Sequence, residues 1–332
     1  MRFTEASLQR SDDDPRSTES WHHGAYNRTM ATLQVFDRLV LRARDLPRAP
    51  FAVVAPTTDV ALSGAMSAAS AGLIEPILVG HERTVRELAS KLSIDLAHVR
   101  LVDAADDEAA ARKAVALCRE GAAMGLMKGS LHTDVLMHAV LDPQAGLRTA
   151  RRVSHVFVID APGYPRPLLV TDAAINIYPT LDDKVDIAKN AIELAHALGI
   201  PIPNVAILSA VETVTSKITS TLDAAALCKM ADRKQITGAV LDGPLAFDTA
   251  VSAEAAAIKQ LVSPVAGVAD VLLVPDLESG NMLAKQLEYL GGAELAGVVL
   301  GARVPIVLTS RSDSARARLG SCAVAVLRAA AG

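Results

Sequence analysis

The sequence predicts an α/β protein in which a largely parallel sheet is covered by helices and shared between two domains. From Phe51 to the C-terminus, short apolar runs alternate with longer segments that carry apolar residues every three or four positions, a pattern typical of βαβ units. The chain has 332 residues, more than one ordinary domain needs. Hydrophobic residues make up 51% and aromatic residues only 3%, so the cores consist mainly of small aliphatic side chains, as parallel sheets favour.

The predicted strands are short apolar runs separated by these helical segments. They lie at Phe51–Ala55, Pro76–Gly80, Val99–Val102, Gly125–Met127, His155–Ile159, Leu168–Val170, Val205–Leu208, Ala239–Leu241, Val271–Val274, Val298–Leu300 and Pro305–Leu308. The clearest helical segments are Asp59–Gly72, Ala105–Glu120, Asp183–Gly199 and Ser279–Leu290. Thr180 and Asp183 form a predicted capping pair at one helix start, and Gly199 a cap at its end.

The tail and the domain boundary follow from changes in composition. Residues 1–28 are polar and mixed in charge and show no helical or strand period, so we predict a tail. Three arginines, at 148, 151 and 152, precede a Pro- and Gly-rich segment over 161–167. We place the domain boundary near residue 150, with the second domain over 151–300.

Composition also excludes several classes of function. The net charge is −4, and no basic tract or row of stacking aromatics indicates a nucleic-acid surface. No apolar run approaches the roughly 20 residues of a membrane span, and the N-terminus lacks an apolar signal core. We therefore expect a cytoplasmic protein. Cys118, Cys228 and Cys322 are far apart, which predicts buried reduced thiols, and no spacing indicates a metal site.

The turn near the C-terminus is the richest in chemistry. The apolar run Val304–Leu308 is followed by Thr309, Ser310, Arg311, Ser312, Asp313 and Ser314, and then by an Ala-rich helical segment. Turns between a buried strand and a helix are where open α/β proteins hold ligands. Hydroxyls, a guanidinium, a carboxylate and free helix amides together suit an anion and a polar reaction centre.

A second predicted anion-binding turn is Met127-Lys128-Gly129-Ser130-Leu131-His132-Thr133. Here Lys128 supplies charge, and Ser130 and Thr133 stand at a helix start. The segment lacks the spacing of a P-loop.

Three more turns are polar, and each has a purely structural alternative. Asp172 and Asn176 lie four residues apart and could share a helix face or lock a loop through their own hydrogen bonds. The segment 242–248 begins with Asp-Gly-Pro, which favours a turn. The segment Pro275–Asn281 brings Asp276, Gly280 and Asn281 to a predicted helix start.

Seven segments, in this order, resemble the phosphate acetyl/butyryltransferase family, and its butyryl branch in particular. They are GLIEPILVG (72–80), LMKGSLHT (126–133), TDAAINIYP (171–179), LSAVE (208–212), DGPLAFD (242–248), PDLESGN (275–281) and PIVLTSRSDS (305–314). The resemblance extends from about Phe51 to the C-terminus and leaves out the tail.

The resemblance implies a fold related to the isocitrate and isopropylmalate dehydrogenases, with two α/β/α domains and a cleft between them. The first domain would then comprise residues 29–150 and the returning segment 301–332. The resemblance also implies a homodimer whose substrates are acyl-CoA and inorganic phosphate, with no bound organic cofactor and no covalent intermediate. The reaction would exchange an acyl group reversibly between CoA and phosphate.

The family motif also implies roles for individual residues. Arg311 would bind the phosphate, because a guanidinium pairs with two phosphate oxygens. Ser310 would donate a hydrogen bond to the developing oxyanion or to the leaving sulfur. Acetyl-type members place an aspartate several residues beyond their Ser-Arg pair as the base toward the CoA thiol, a position that falls near Ala317 here. Asp313 is the nearest carboxylate and would take this role, or it would instead cap the last helix. We expect six further residues of the matching segments to bind substrate: Lys128, Thr133, Asn176, Asp276, Gly280 and Asn281.

The acyl chain and the activity each have an alternative. Butyryl-type members share the Leu308-Thr309-Ser310-Arg311 form, which favours a butyryl or similar short chain over the alternative, acetyl. A non-catalytic acyl-CoA-binding regulatory module is the other reading. The retained Ser310 and Arg311 argue against it.

Overall fold

A single mixed sheet is the centre of the structure. The computed structural model describes residues 34–309 and 313–332. The predicted tail, residues 1–28, and the predicted catalytic pair Ser310 and Arg311 therefore lie outside the described residues. The strands are β1 (Ala49–Val54), β2 (Ile74–Gly80), β3 (Arg100–Asp103), β4 (Gly125–Lys128), β5 (Ser154–Asp160), β6 (Leu168–Thr171), β7 (Asn204–Leu208), β8 (Val240–Leu245), β9 (Val271–Leu273), β10 (Glu294–Leu300) and β11 (Ile306–Val307).

Helices occupy most of the connections between these strands. They are α1 (Val35–Arg44), α2 (Asp59–Ser70), α3 (Glu82–Lys91), α4 (Asp107–Arg119), α5 (Thr133–Leu141), α6 (Leu181–Ala197), α7 (Thr219–Asp232), α8 (Phe247–Val251), α9 (Ala253–Ile258), α10 (Leu277–Tyr289) and α11 (Ala315–Ala330). The prediction of an α/β protein is confirmed.

Strand direction reverses three times in the middle of the sheet. Its strand order is β3-β2-β1-β4-β11-β10-β5-β6-β9-β7-β8. The pairs on either side are parallel, whereas β11–β10, β10–β5 and β5–β6 are antiparallel. As a result, β4 and β11 run opposite to β6 and β9. The carboxyl ends of these two parallel groups, where α/β proteins hold ligands, therefore point in opposite directions. The turns that follow them are called here the two edges of the sheet.

Each predicted strand is present, with ends that differ by a few residues, and the predicted helix caps are also found. Thr180 and Asp183 form a reciprocal capping box at the start of α6, and Gly199 follows that helix with a φ of 90°. The prediction of a turn at Asp242-Gly243-Pro244 is wrong, because these residues lie inside β8. A proline is tolerated there because β8 is the outermost strand, where its missing N–H leaves no partner unpaired.

Side chains on both faces of the sheet are buried. On one face a continuous core extends from Phe51 and Val53 on β1 to Val205 and Ile207 on β7. On the other face the first half of the sheet packs on α4 and α5, and the second half has its own core beneath α10. Pairing of β11 with β4 returns the end of the chain to the first half. The division into 29–150 plus 301–332 and 151–300 stays a prediction.

Helices long and apolar enough to cross a membrane are absent from residues 34–309 and 313–332.

Candidate active site

A cavity of about 470 Å³ lies where three parallel strands end. The turns after β1, β4 and β11 line it, together with the start of α2 and one side chain of α11. The lining residues are Thr57, Thr58, Asp59, Val60, Ala61, Met127, Lys128, Gly129, Ser130, Thr309 and Arg318. Of the predicted site residues, the structure thus places Lys128 in a cavity with Thr309, the residue that directly precedes Ser310.

Close backbone contact joins the turns after β1 and β4. A Cβ on Gly129 would lie 2.3 Å from the Val54 carbonyl oxygen and 2.5 Å from that of Ala55, so the approach requires glycine. The amides of Gly129 and Ser130 donate to these same two oxygens. Ser130 Oγ donates to the Ala55 oxygen at 2.9 Å and accepts from the Thr57 amide at 3.0 Å. Local hydrogen bonds therefore hold the cavity wall in place.

The start of α2 supplies the positive end of a helix to this cavity. Thr58 is the N-cap residue and its side chain accepts from the Ala61 amide. A helix N-terminus favours anions because its first amides lack partners within the helix. Asp59 also lines the cavity and its carboxylate lies 3.5 Å from the Lys91 ammonium.

Arg318 is a cavity residue that sequence reasoning missed. It is the fourth residue of α11, and its Nη1 is buried without a hydrogen-bond partner in residues 34–309 and 313–332. The aliphatic part of the Arg318 side chain packs on Gly64 of α2. A Cβ at Gly64 would lie 3.2 Å from Arg318 Cδ. The sequence did contain one signal for Arg318. A cation near a helix N-terminus interacts unfavourably with the helix dipole, so an arginine at this position indicates a role other than helix stability.

Ser314, and not Asp313, caps the last helix. The Ser314 side chain accepts a hydrogen bond from the Ala317 amide at 3.0 Å. The alternative in which Asp313 is the N-cap is therefore wrong, because the helix begins one residue later than that alternative required. The role of Asp313 as a base stays a prediction. Thr133, at the first position of α5, is exposed and is not among the residues that line the cavity.

The remaining predicted substrate-binding residues lie at the opposite edge of the sheet, around a turn that follows β6. The Asp172 carboxylate, which is buried, accepts hydrogen bonds from the amides of Ala174, Ile175 and Asn176 and from Asn176 Nδ2. Asn176 Nδ2 also donates to the Val153 carbonyl oxygen. The interpretation of Asp172 and Asn176 as a loop locked by its own hydrogen bonds is confirmed.

The start of α10 packs against this same turn. Asp276 caps α10 by accepting from the Ser279 amide at 2.8 Å. Asn281 Nδ2 donates to the Ala173 carbonyl oxygen at 3.1 Å. A Cβ on Gly280 would lie 3.0 Å from the Asp172 carbonyl oxygen and 2.7 Å from Val274 Cγ2. These contacts are internal, and a substrate-binding role for Asn176, Asp276, Gly280 and Asn281 stays a prediction.

Burial favours the neutral forms of one histidine and three cysteines in the interior. Burial lowers the pKa of His155 to about 4, partly opposed by the nearby Asp172 charge. Burial raises the pKa of Cys118, Cys228 and Cys322 to about 12, so these thiols are protonated near neutral pH and are poor nucleophiles. No group of three or more histidine, cysteine, aspartate or glutamate side chains in the described part of the chain is arranged to hold a metal ion.

Comparison with known proteins gives the family. A family model described as phosphate acetyl/butaryl transferase matches residues 108–326, more than half of the chain. The chain belongs to this family. The matched span includes Lys128 and Arg318 and both edges of the sheet described above.

Individual members of the phosphate acetyl/butyryltransferase family agree with this assignment. The chain is 60% identical over 295 residues to a phosphate acetyltransferase of Rhizobium meliloti, covering 89% of this chain and 93% of the relative. It is 41% identical over 295 residues to a phosphate butyryltransferase of Clostridium beijerinckii, covering 89% and 98%. A crystal structure of a branched-chain phosphotransacylase from Enterococcus faecalis V583 superposes with a TM-score of 0.74 at 30% identity, covering 85% of this chain and 99% of that one.

Proposed function

We propose that the chain is an acyl-CoA:phosphate acyltransferase that moves a short acyl group reversibly between CoA and inorganic phosphate. One observation carries this proposal beyond family membership. Thr309, which directly precedes Ser310 and Arg311 in the family motif, lines the same cavity as Lys128 and the start of α2. The cavity therefore combines a cation, hydroxyls and helix amides, the groups that bind phosphate oxygens.

The reaction divides between these groups as follows. A phosphate oxygen attacks the thioester carbonyl carbon, the C–S bond breaks, and its electron pair leaves with the CoA sulfur. Arg311 and Lys128 bind the attacking phosphate, and Ser310 donates to the oxyanion or to the leaving sulfur. In the reverse direction Asp313 takes the proton of the CoA thiol, whose reference pKa is about 8.5.

The residues around the Asp172 turn contribute to this reaction by holding that turn and α10 in position. Asn176, Asp276, Gly280 and Asn281 hold the Asp172 turn and α10 together by internal hydrogen bonds and close packing. Their contribution to substrate binding, in this proposal, is the placement of that turn.

Acetyl is the acyl group we propose, with butyryl as the second candidate. The Leu308-Thr309-Ser310-Arg311 form favours butyryl, whereas the chain is more similar to a relative named acetyltransferase, at 60% identity, than to one named butyryltransferase, at 41%. Whole-chain similarity supports acetyl more strongly, because many residues outside one motif shape an acyl pocket.

The assembly and the finer fold belong to the same proposal. We infer a cytoplasmic homodimer of two-domain subunits related to the isocitrate and isopropylmalate dehydrogenases, with the reaction in the cleft and no bound organic cofactor. The resemblance of the seven sequence segments supports this, and light scattering of the purified protein tests the dimer.

Phosphate-dependent thiol release tests the function directly. We expect the wild-type protein to release CoA thiol from acetyl-CoA faster with phosphate than without it, and faster than from butyryl-CoA. Arg311→Ala should lower kcat/KM for phosphate by roughly a hundredfold or more, because a bidentate charged contact is lost. A wild-type protein that shows no phosphate-dependent release, yet is thermally stabilised by acyl-CoA, is instead the regulatory module.

A further inference from the structure

Arg318 is half-buried, and one nitrogen of its guanidinium is buried without a hydrogen-bond partner among the described residues. Its Nη1 is shielded from solvent, and no atom of the described residues accepts a hydrogen bond from it. Buried donors are nearly always paired in folded proteins, and a charged one without a partner is strongly unfavourable. Arg318 also lines the cavity, and its incompletely paired guanidinium favours a ligand there that accepts hydrogen bonds.

The neighbouring helix makes room for this side chain. Gly64 lies inside α2, where glycine is a poorer helix former than alanine. A Cβ at Gly64 would come within 3.2 Å of Arg318 Cδ and 3.6 Å of its Nε. The absence of a side chain at position 64 is what allows the guanidinium to lie across α2 beside the cavity.

The charges around the cavity favour an anion. Lys128 and Arg318 line it with positive charge, and Asp59 is the carboxylate among its lining residues. The Asp59 carboxylate lies 3.5 Å from Lys91, and its side chain is 55% exposed, so it offsets the buried cation only weakly. The Thr57 hydroxyl donates to Ser130 Oγ, and Ser130 Oγ donates to the Ala55 oxygen. The attraction for an anion therefore comes from the two cations and from the start of α2.

We propose that Arg318 is a second phosphate-binding arginine of this site and that Gly64 is the residue that positions it. This inference rests on the proposed acyl transfer. The ligand is a phosphate group carried by a substrate, and its source is either the reacting inorganic phosphate or a phosphate of CoA. Thr309 adjoins the predicted catalytic pair and lines the same cavity, which favours the reacting phosphate.

The test compares Arg318→Ala and Arg318→Lys with Arg328→Ala. Arg328 is the matched control because it belongs to the same helix but pairs with Glu193 and lines no part of this cavity. We expect Arg318→Ala to raise the KM for one phosphate-bearing substrate by tenfold or more, since a hydrogen bond to a charged group is lost. Arg318→Lys should recover part of that loss, and Arg328→Ala should leave both KM values within about twofold of wild type.

Binding is measured separately from turnover. Inorganic phosphate alone and CoA alone should each raise the wild-type Tm, and the rise with one of them should shrink in Arg318→Ala. Without any ligand, Arg318→Ala should unfold at the same temperature as wild type or higher, because an unpaired buried charge has been removed. Gly64→Ala should weaken the binding of the same substrate, because the new methyl group displaces the Arg318 guanidinium. The ligand-free protein should stay stably folded.

The results decide whether Arg318 binds a phosphate group and which substrate carries it. A higher KM for phosphate identifies the reacting phosphate as the ligand, and a higher KM for acyl-CoA identifies a CoA phosphate. Unchanged KM values together with unchanged stabilisation by both ligands overturn the inference. If wild type itself shows no phosphate-dependent thiol release, the proposed function fails, whereas the Tm shifts still decide whether Arg318 binds phosphate.

Discussion

The two edges of the sheet carry equally polar turns, but they satisfy their polar groups differently. At the edge reached by β6 and β9, the Asp172 carboxylate accepts hydrogen bonds from three backbone amides and one side-chain amide. At the edge reached by β4 and β11, Arg318 Nη1 is buried with no partner in the part of the chain that the structure describes. His155 Nδ1, near Asp172, is likewise buried without a partner among the described residues. What distinguishes Arg318 is therefore that it lines a cavity that a ligand can enter.

Alanine in place of a glycine should lower the free energy of unfolding by different amounts at the two edges. Alanine at Gly129 would place its Cβ 2.3 Å from a backbone oxygen, whereas at Gly280 its closest neighbour, at 2.7 Å, is a valine methyl that can move. We expect Gly129→Ala to lower the free energy of unfolding by roughly 3–5 kcal/mol and Gly280→Ala by roughly 1–3 kcal/mol. Urea unfolding measures both, and equal losses would show that the walls of the two edges are equally adaptable.

Acid should lower the free energy of unfolding, because it protonates His155 near the Asp172 turn more readily in the unfolded chain than in the native one. The pKa of His155 is lowered to about 4 by burial, while in the unfolded chain it is near 6.5. Between these values the unfolded state binds a proton that the native state refuses, so stability is complete above about pH 6.5 and falls as the pH drops toward about 4. The loss by pH 4 should be of the order of 3 kcal/mol.

Replacing the histidine isolates this effect. Urea unfolding at pH 7.5 and pH 4.5 should show a smaller acid loss for His155→Gln than for wild type. The phosphate-dependent Tm rise at pH 7.5 should be retained, because His155 is not among the residues that line the cavity. An identical acid loss in both proteins would mean that other groups govern the response to acid.

Local pattern predicts the elements of this fold but not how the chain orders them. The strands follow from short apolar runs, and the capping box of Thr180 and Asp183 from spacing within four residues. The reversal of direction between β11 and β6 depends on pairing between segments far apart in sequence. The sequence placed Lys128, Asn176 and Asn281 in one site. In the structure Lys128 lines the described cavity, and a shared site with Asn176 and Asn281 stays a prediction.

Arg318 is a residue that local sequence patterns did not identify. Its role depends on Gly64, which lies far from it in the chain and has no motif of its own. The Asp242-Gly243-Pro244 segment follows turn chemistry locally, yet it forms an edge strand because β7 pairs with it. Local signals therefore found the turn at Lys128, and only tertiary packing could show which other side chains meet it.

The most direct test of the account compares one residue from each edge, Lys128 at the cavity and Asn281 at the Asp172 turn, in the phosphate-dependent release of thiol from acetyl-CoA. Lys128→Ala should raise the KM for phosphate by roughly tenfold or more, because it removes a charged contact in the cavity. Asn281→Ala should leave that KM within about twofold and lower the free energy of unfolding by about 1 kcal/mol, the usual value of one hydrogen bond. If Asn281→Ala raised the phosphate KM and Lys128→Ala did not, the substrate would bind at the other edge and the account would be wrong.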